Sequence, residues 1–292
     1  MRVLIVGCGY VGMALAERLV REGHEVIAWR RRGAVDAPAG LSGVRWVAAD
    51  ITRPESLPRT EATFDAVVNT VASTVGGVED YQRVYLDGTR HLLAWLRSAP
   101  PRQFIYTSST GVYGQDDGSD VDENGPTQPA AATARVLVEA EQELFRAHRE
   151  QGFPAIVLRL AGIYGPGRGY WMRQFLAGEA RIEGDGGRIL NMIHRDDVAN
   201  TAIAVMARGR VGEAYNVVDD EPVRQLELFR WLATRLGRPL PPAAEATETG
   251  GRRRGVTNKR ILNRKLRNEL GARLDYPTFR EGYAAELAAL GF

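Results

Sequence analysis

The sequence predicts an α/β protein, a doubly wound parallel sheet with a smaller C-terminal α/β lobe. Three observations predict it. Short apolar runs at 2–6, 25–29, 44–48, 65–71, 103–107 and 155–160 read as buried strands. Amphipathic stretches at 12–22, 81–97 and 133–149 fall between several of them, and strands alternating with helices build a parallel sheet covered on both faces. The first strand runs straight into Gly7-Cys8-Gly9-Tyr10-Val11-Gly12, a Gly-x-Gly-x-x-Gly turn that opens a helix.

Taken in order, Val3 to Val6 form the first strand, and Val11, Leu15 and Leu19 recur every four residues as one helical face. Gly7 permits the tight turn, Gly9 allows a close approach to the backbone, and Gly12 lets the helix sit against the strand. A diphosphate placed here rests on free N–H groups at the helix N-terminus, around Tyr10 and Val11, where the helix dipole favours negative charge. The second strand, Glu25 to Trp29, leads into Arg30-Arg31-Arg32 with no acid before Asp36. An acid near this position accepts from the ribose of NAD, whereas arginine accommodates the extra phosphate of NADP. Arg30 and Arg31 thus predict NADP, with NAD less favoured. Asp50, before Ile51 at the end of the third strand, is placed to touch the adenine edge or to cap the helix that follows.

After Leu160 the pattern changes to short segments with glycine-rich turns, Gly165-Pro166-Gly167 and Gly184-Asp185-Gly186-Gly187. The expected division is 1–160 for the dinucleotide domain and 161–292 for the substrate lobe, with about 190–218 returning to the first domain. Residues 241–251 read as a surface loop of low complexity. Apolar content of 44% and charged content of 25% over 292 residues are those of an ordinary globular chain. A net charge of +2 with both signs interspersed excludes a nucleic-acid footprint. The one basic excess, Arg252, Arg253, Arg254, Lys259, Arg260, Arg264, Lys265 and Arg267, reads as a solvated face or, alternatively, a site for substrate phosphates. No apolar run reaches the roughly 18–20 residues of a membrane span. The chain begins directly in a strand, which predicts a cytoplasmic location. The single cysteine, Cys8, excludes internal disulfides and a cysteine-rich metal site, and no metal is expected.

Further motifs carry a family resemblance: Asn69-Thr-Val71-Ala72, Val84-Tyr85-Leu-Asp-Gly88-Thr89, Phe104-Ile-Tyr-Thr-Ser108-Ser109-Thr110-Gly-Val-Tyr113-Gly114, Leu158-Arg159-Leu-Ala-Gly-Ile-Tyr164-Gly165 and Ile193-His194-Arg-Asp196-Asp197. With them the chain resembles the short-chain dehydrogenase/reductase superfamily, in its extended, epimerase/dehydratase-like branch and the atypical members nearby. The resemblance implies a Rossmann-type fold and a nicotinamide cofactor bordered by Val71, Ala72 and Ser108. It also implies a carbonyl or secondary-alcohol substrate, nucleotide-sugar-like by analogy, touched by Ser109 and Thr110. The family's acid/base pair, Tyr-x-x-x-Lys on one helix face, is missing. Its positions fall on Thr133 and Leu137, and the only lysines, Lys259 and Lys265, follow Gly255 and Ile261 by four residues.

Proton transfer then falls to Ser109, Tyr113, Tyr164, Tyr85 or His194. The tyrosines, without a neighbouring lysine, keep a pKa near 10 and equally suit packing. His194 titrates near neutrality, or is tied to the helix start before Asp196. Arg159 and Arg168 suit an anionic substrate, and Arg159 alternatively pairs with a buried acid. Two functions follow as expectations: an NADP-dependent oxidoreductase or epimerase/dehydratase with a degenerate site, or a non-catalytic NADP-binding sensor or regulatory protein. The helices at 81–97 and 133–149 occupy positions through which the family dimerises, and their Arg- and Glu-rich outer faces permit a homodimer without demanding one.

Overall fold

The structure, a computed structural model, describes residues 1–33, 41–59, 63–244 and 257–292. Asp36, Arg252, Arg253, Arg254 and most of the 241–251 loop lie outside them. Seven parallel strands form the central sheet: β1 (Arg2–Val6), β2 (Glu25–Arg30), β3 (Val44–Ala48), β4 (Ala66–Asn69), β5 (Gln103–Ser109), β6 (Ala155–Leu160) and β7 (Ala214–Val217). Their spatial order is β7-β6-β5-β4-β1-β2-β3, with Val3 opposite Val26 on one side and opposite Ala66 on the other. This is a Rossmann-like sheet. Its order reverses between β1 and β4, and in open sheets of this kind ligands bind in the crevice at the strand ends beside that reversal.

The helices are α1 (Tyr10–Arg21), α2 (residues 78–95), α3 (Ala132–Gln151), α4 (Tyr170–Ala177), α5 (Arg195–Arg208), α6 (Gln225–Leu236), α7 (Arg264–Leu270) and α8 (Phe279–Ala289). Leu15 and Leu19 of α1 pack with Val198 and Val205 of α5 on one face of the sheet. Leu92 of α2 and Val136, Ala140 and Leu144 of α3 cover the other. A separate core in the C-terminal lobe gathers Met172, Phe175, Phe229, Phe279 and Tyr283.

Helix α2 differs from the expected 81–97. It starts just after Gly76 and Gly77, both at positive φ, and carries a π-helical turn at Gln82–Asp87. A pattern of period 3.6 cannot register that extra residue, and such turns gather at functional sites. The fourth strand stops at Asn69, whose side-chain carbonyl accepts from the Val71 N–H at 3.1 Å and turns the chain out of the ladder.

Four of the five described basic residues of the cluster are paired within the protein, and the fifth, Arg264, is exposed. Lys259 Nζ donates to the Tyr113 carbonyl at 2.6 Å, Lys265 pairs with Glu213 at 2.6 Å, Arg260 with Asp120 at 3.5 Å and Arg267 with Asp220 at 3.4 Å. These contacts tie the C-terminal segment to the body of the protein. No helix among the described residues is long and apolar enough to cross a membrane.

Candidate dinucleotide and substrate cavity

A cavity of about 980 Å³ opens at the strand ends, running from the β2–β3 edge past the β1–α1 turn to the ends of β5 and β6. The turn is fixed from below. The N–H groups of Gly7 and Cys8 both donate to the Trp29 carbonyl, at 3.1 and 3.0 Å, and the Thr70 hydroxyl donates to the Gly7 carbonyl at 2.9 Å. Gly7 sits at φ +75°, where a Cβ would lie 2.4 Å from Val71 Cγ2. A Cβ on Gly9 would meet nothing nearer than the Gly7 carbonyl at 3.8 Å, so that space belongs to the cavity. A Cβ on Gly12 would press on Thr70 Oγ1 at 2.8 Å. Helix α1 has neither a side-chain cap nor an acid in its first turn. Its first N–H groups, which have no partner within the helix, are therefore left for an anion. Burial pushes the Cys8 thiol up to about 12, so it packs as a small apolar group.

At the β2–β3 edge the lining is Arg30, Arg31, Arg32, Asp50 and Ile51. The Arg30 guanidinium lies 5.6 Å from the Trp46 ring centre. Asp50 turns its carboxylate onto its own loop, accepting from the Thr52 N–H at 2.9 Å and the Thr52 hydroxyl at 2.8 Å.

At the other end Val71, Ala72, Ser108, Ser109, Thr110 and Arg168 line the cavity, as do Tyr10 and Val11 by the turn. Ser109 Oγ accepts from the Gly111 N–H at 3.0 Å, which leaves its own O–H to donate. Arg168 is exposed, with its guanidinium 5.2 Å from the Tyr10 ring, and the Tyr10 hydroxyl donates to the Pro166 carbonyl at 3.2 Å. Leu137 is part of the wall.

Four expected site residues are turned away from the cavity, and their expected roles are corrected accordingly. Tyr113 is fully buried, its hydroxyl donating to Asn216 Oδ1 at 2.8 Å and accepting from Arg159 at 2.7 Å, and burial pushes it up to about 12. Tyr164 packs edge-on against Tyr283, and burial drives its pKa well upward. Arg159 takes the alternative it was given. Its Nε and Nη2 grip the Glu141 carboxylate at 3.1 and 2.8 Å inside the protein. His194 is 1% exposed, caps α5 by accepting from the Asp196 N–H at 3.2 Å, and stacks on Tyr276.

Burial lowers His194 to about 4, against 6.5 for a free histidine. Its contribution to stability is complete above about pH 6.5 and is lost as pH falls toward about 4. Buried Asp197 opposes it. Burial pushes its carboxyl up to about 6, so its contribution is full below pH 3.8 and lost as pH rises through about 6. His194→Asn, which keeps a capping side chain, removes one of these terms. Thermal melts between about pH 7 and about pH 4.5 are expected to show the native protein losing ground to the variant as pH falls. A difference between the two that stays constant with pH excludes the histidine's role.

Two groups in or behind this site escaped the sequence reading. Ser73 Oγ donates to Asp80 at 2.5 Å, Arg83 binds the other oxygen, and the Ser73 N–H donates to the Tyr85 hydroxyl at 3.1 Å, which fixes the loop over the cavity mouth. The Ser73 hydrogen bond is the main reason that Asp80 titrates below the usual carboxylate range. The second group is Glu141, which also accepts from Ser108 Oγ at 2.5 Å. It had a signal: a carboxylate on the apolar stripe Leu137, Ala140, Leu144 requires a buried partner, and Arg159 is the one charge in the otherwise apolar strand β6.

The reversal-point cavity and glycine cradle define a dinucleotide-binding protein, and the chain belongs to the NAD dependent epimerase/dehydratase family, whose model matches residues 3–218. It is an atypical, epimerase/dehydratase-like member of the short-chain dehydrogenase/reductase group. Among known proteins it is similar to Protein YeeZ of Escherichia coli (strain K12), 29% identical over 286 residues, covering 94% of this chain and 96% of that one. It is similar as well to the 3-diazoavenalumate denitrifying reductase of a Streptomyces species, 28% identical over 98% of this chain and 100% of the relative. In fold it matches DesIV, a dTDP-glucose 4,6-dehydratase of Streptomyces venezuelae solved with NAD, at a TM-score of 0.82 and 24% identity over 99% of this chain and 96% of that one.

Proposed function

We propose that this protein is an NADP(H)-dependent oxidoreductase acting on a carbonyl or secondary alcohol that carries negative charge. The observation that carries the cofactor choice is Arg30-Arg31-Arg32 lining one end of the cavity while Asp50, the only carboxylate there among the described residues, holds its own turn through Oδ1. The open space above Gly9 and the uncapped start of α1 suit a diphosphate. Arg30 and Arg31 would hold the ribose phosphate, and Ile51, Val71 and Ala72 would border the rest. When bound, the cofactor supplies or takes up hydride. The Ser109 hydroxyl donates a hydrogen bond to the substrate oxygen, and Arg168 receives its anionic group.

Leu137 in the wall means that no ammonium stands where the family keeps one, so acid/base help comes from Ser109 and water, at a cost of roughly 10²–10⁴ in rate. The same leucine favours a second reading, a protein that binds NADP and passes its occupancy to a partner without turnover.

Calorimetric titration with NADPH and NADH tests the cofactor. Two charge-assisted bonds of about 1.5–3 kcal/mol each give NADPH at least a roughly hundredfold advantage. In Arg30→Ala/Arg31→Ala that advantage is expected to collapse, with NADH binding unchanged. A native preference for NADH overturns the arginine assignment. Turnover of NADPH with carbonyl acids, lost in Ser109→Ala, separates the enzyme from the sensor.

A further inference from the structure

The far end of the cavity has a composition that bears on what can lie there. Its wall beside Ser109 is built from Tyr81, Val84, Tyr85, Leu137, Leu160 and Ile163. Tyr81 and Tyr85 form a tilted aromatic pair with ring centres 4.9 Å apart. The polar side chains interleaved with them are bound to the protein itself. Thr107 Oγ1 donates to the Asn69 carbonyl at 3.0 Å, Ser108 Oγ to Glu141 at 2.5 Å, and Ser73 and Arg83 each donate to Asp80. Among the described residues at this end, the Thr74, Tyr81, Ser109 and Thr110 hydroxyls and the Arg168 guanidinium remain to meet a ligand.

A sugar ring presents a hydroxyl on nearly every carbon, and each one buried without a partner weakens binding. A nucleotide sugar adds a diphosphate, for which this end offers Arg168 and Arg83, the second of which is already paired with Asp80. A flat apolar molecule meets the opposite conditions. Aromatic rings favour offset or edge contacts with Tyr81 and Tyr85, and the aliphatic wall removes apolar surface from water. Arg168, steadied over the Tyr10 ring, is matched to a single carboxylate.

We infer that the substrate is a carboxylate with a flat, apolar or aromatic body and one reactive oxygen. The body lies along the Tyr81–Tyr85 and Leu137–Ile163 wall, the oxygen meets Ser109, and the carboxylate meets Arg168. This assignment rests on the oxidoreductase reading above and narrows it away from nucleotide sugars.

The test uses the full chain saturated with NADP⁺, titrated calorimetrically with benzoylpropionate, its methyl ester and UDP-glucose. The acid is expected to bind about 10- to 100-fold more tightly than the ester, the range of one charge-assisted contact, and UDP-glucose no better than the ester. Arg168→Gln, on an exposed loop residue, should bring acid and ester level while NADP⁺ binding stays as it was. UDP-glucose binding more tightly than the acid overturns the inference. So does equal binding of acid and ester to the native protein, or no binding of the acid to the NADP⁺-loaded chain. Failure to bind NADP⁺ itself overturns the oxidoreductase reading, and this inference with it.

Discussion

Glu141→Ala is expected to lower the melting temperature by about 10 °C, the largest stability loss of any single substitution considered for this chain. The guanidinium of Arg159 lies within the sheet, 6% exposed, and Glu141 is 2% exposed. Three of the guanidinium's contacts go to this one carboxylate, at 2.8, 3.1 and 3.3 Å, and the others go to the Tyr113 hydroxyl and the Glu123 carbonyl. Taking away the carboxylate leaves a positive charge stranded out of water, which costs about 3–5 kcal/mol. It also orphans the Ser108 hydroxyl. The pair as a whole is a different matter, because two desolvated charges return little over a well-packed apolar substitute. Glu141→Leu/Arg159→Met is therefore expected to recover most of the loss. Scanning calorimetry on the native protein and these variants decides the point. A single variant within about 2 °C of the native protein, or a double variant no better than the single, excludes the stranded charge as the cause.

Gly9→Asp is expected to weaken NADPH binding by at least about a hundredfold while leaving the melting temperature nearly unchanged. The two readouts part company because of where the new atoms go. The Cβ meets only the Gly7 carbonyl, at an ordinary contact distance of 3.8 Å, so folding loses little. The carboxylate that follows it enters the cradle, competes for the N–H groups at the start of α1 and repels the phosphates. Gly7→Ala behaves differently, since its Cβ would lie 2.7 Å from the Val71 Cα and the backbone must move. Titration calorimetry beside a thermal melt measures both quantities. Near-native affinity in Gly9→Asp would remove the cradle from the proposed function.

Local signals made the nucleotide half of the cavity legible. Gly7, Gly9 and Gly12 announce themselves by spacing, and Arg30 and Arg31 follow directly from where β2 ends. The substrate half depends on which way a side chain turns, and distant partners decide that. Ser109 and Tyr113 stand four residues apart in one motif. Ser109 faces the cavity, while Tyr113 is drawn inward by Asn216 and Arg159, which come from β7 and β6. Tyr164 and Arg168 are likewise four apart, one locked under α8 and the other at the mouth. His194 looked available because histidine titrates near neutrality, yet the helix it caps and the Tyr276 ring keep it dry. No property of a short window distinguishes these outcomes.

The π-helical turn at Gln82–Asp87 also acts as a phase shifter within α2. Each residue in an α-helix turns the chain by about 100°, so one residue more or fewer in this segment swings everything on one side of it around the axis by that angle. The C-terminal half is pinned by Leu92 in the core. A single-residue deletion within the turn would therefore rotate the N-terminal half, carrying Asp80 off Ser73 and Tyr81 off the cavity wall, while the pinned half kept its packing. Substitutions along α2 leave that phase intact and a change of length does not. The shape of the cavity mouth is in this sense counted out in residues, and lineages that insert or delete here would be expected to differ in what they admit.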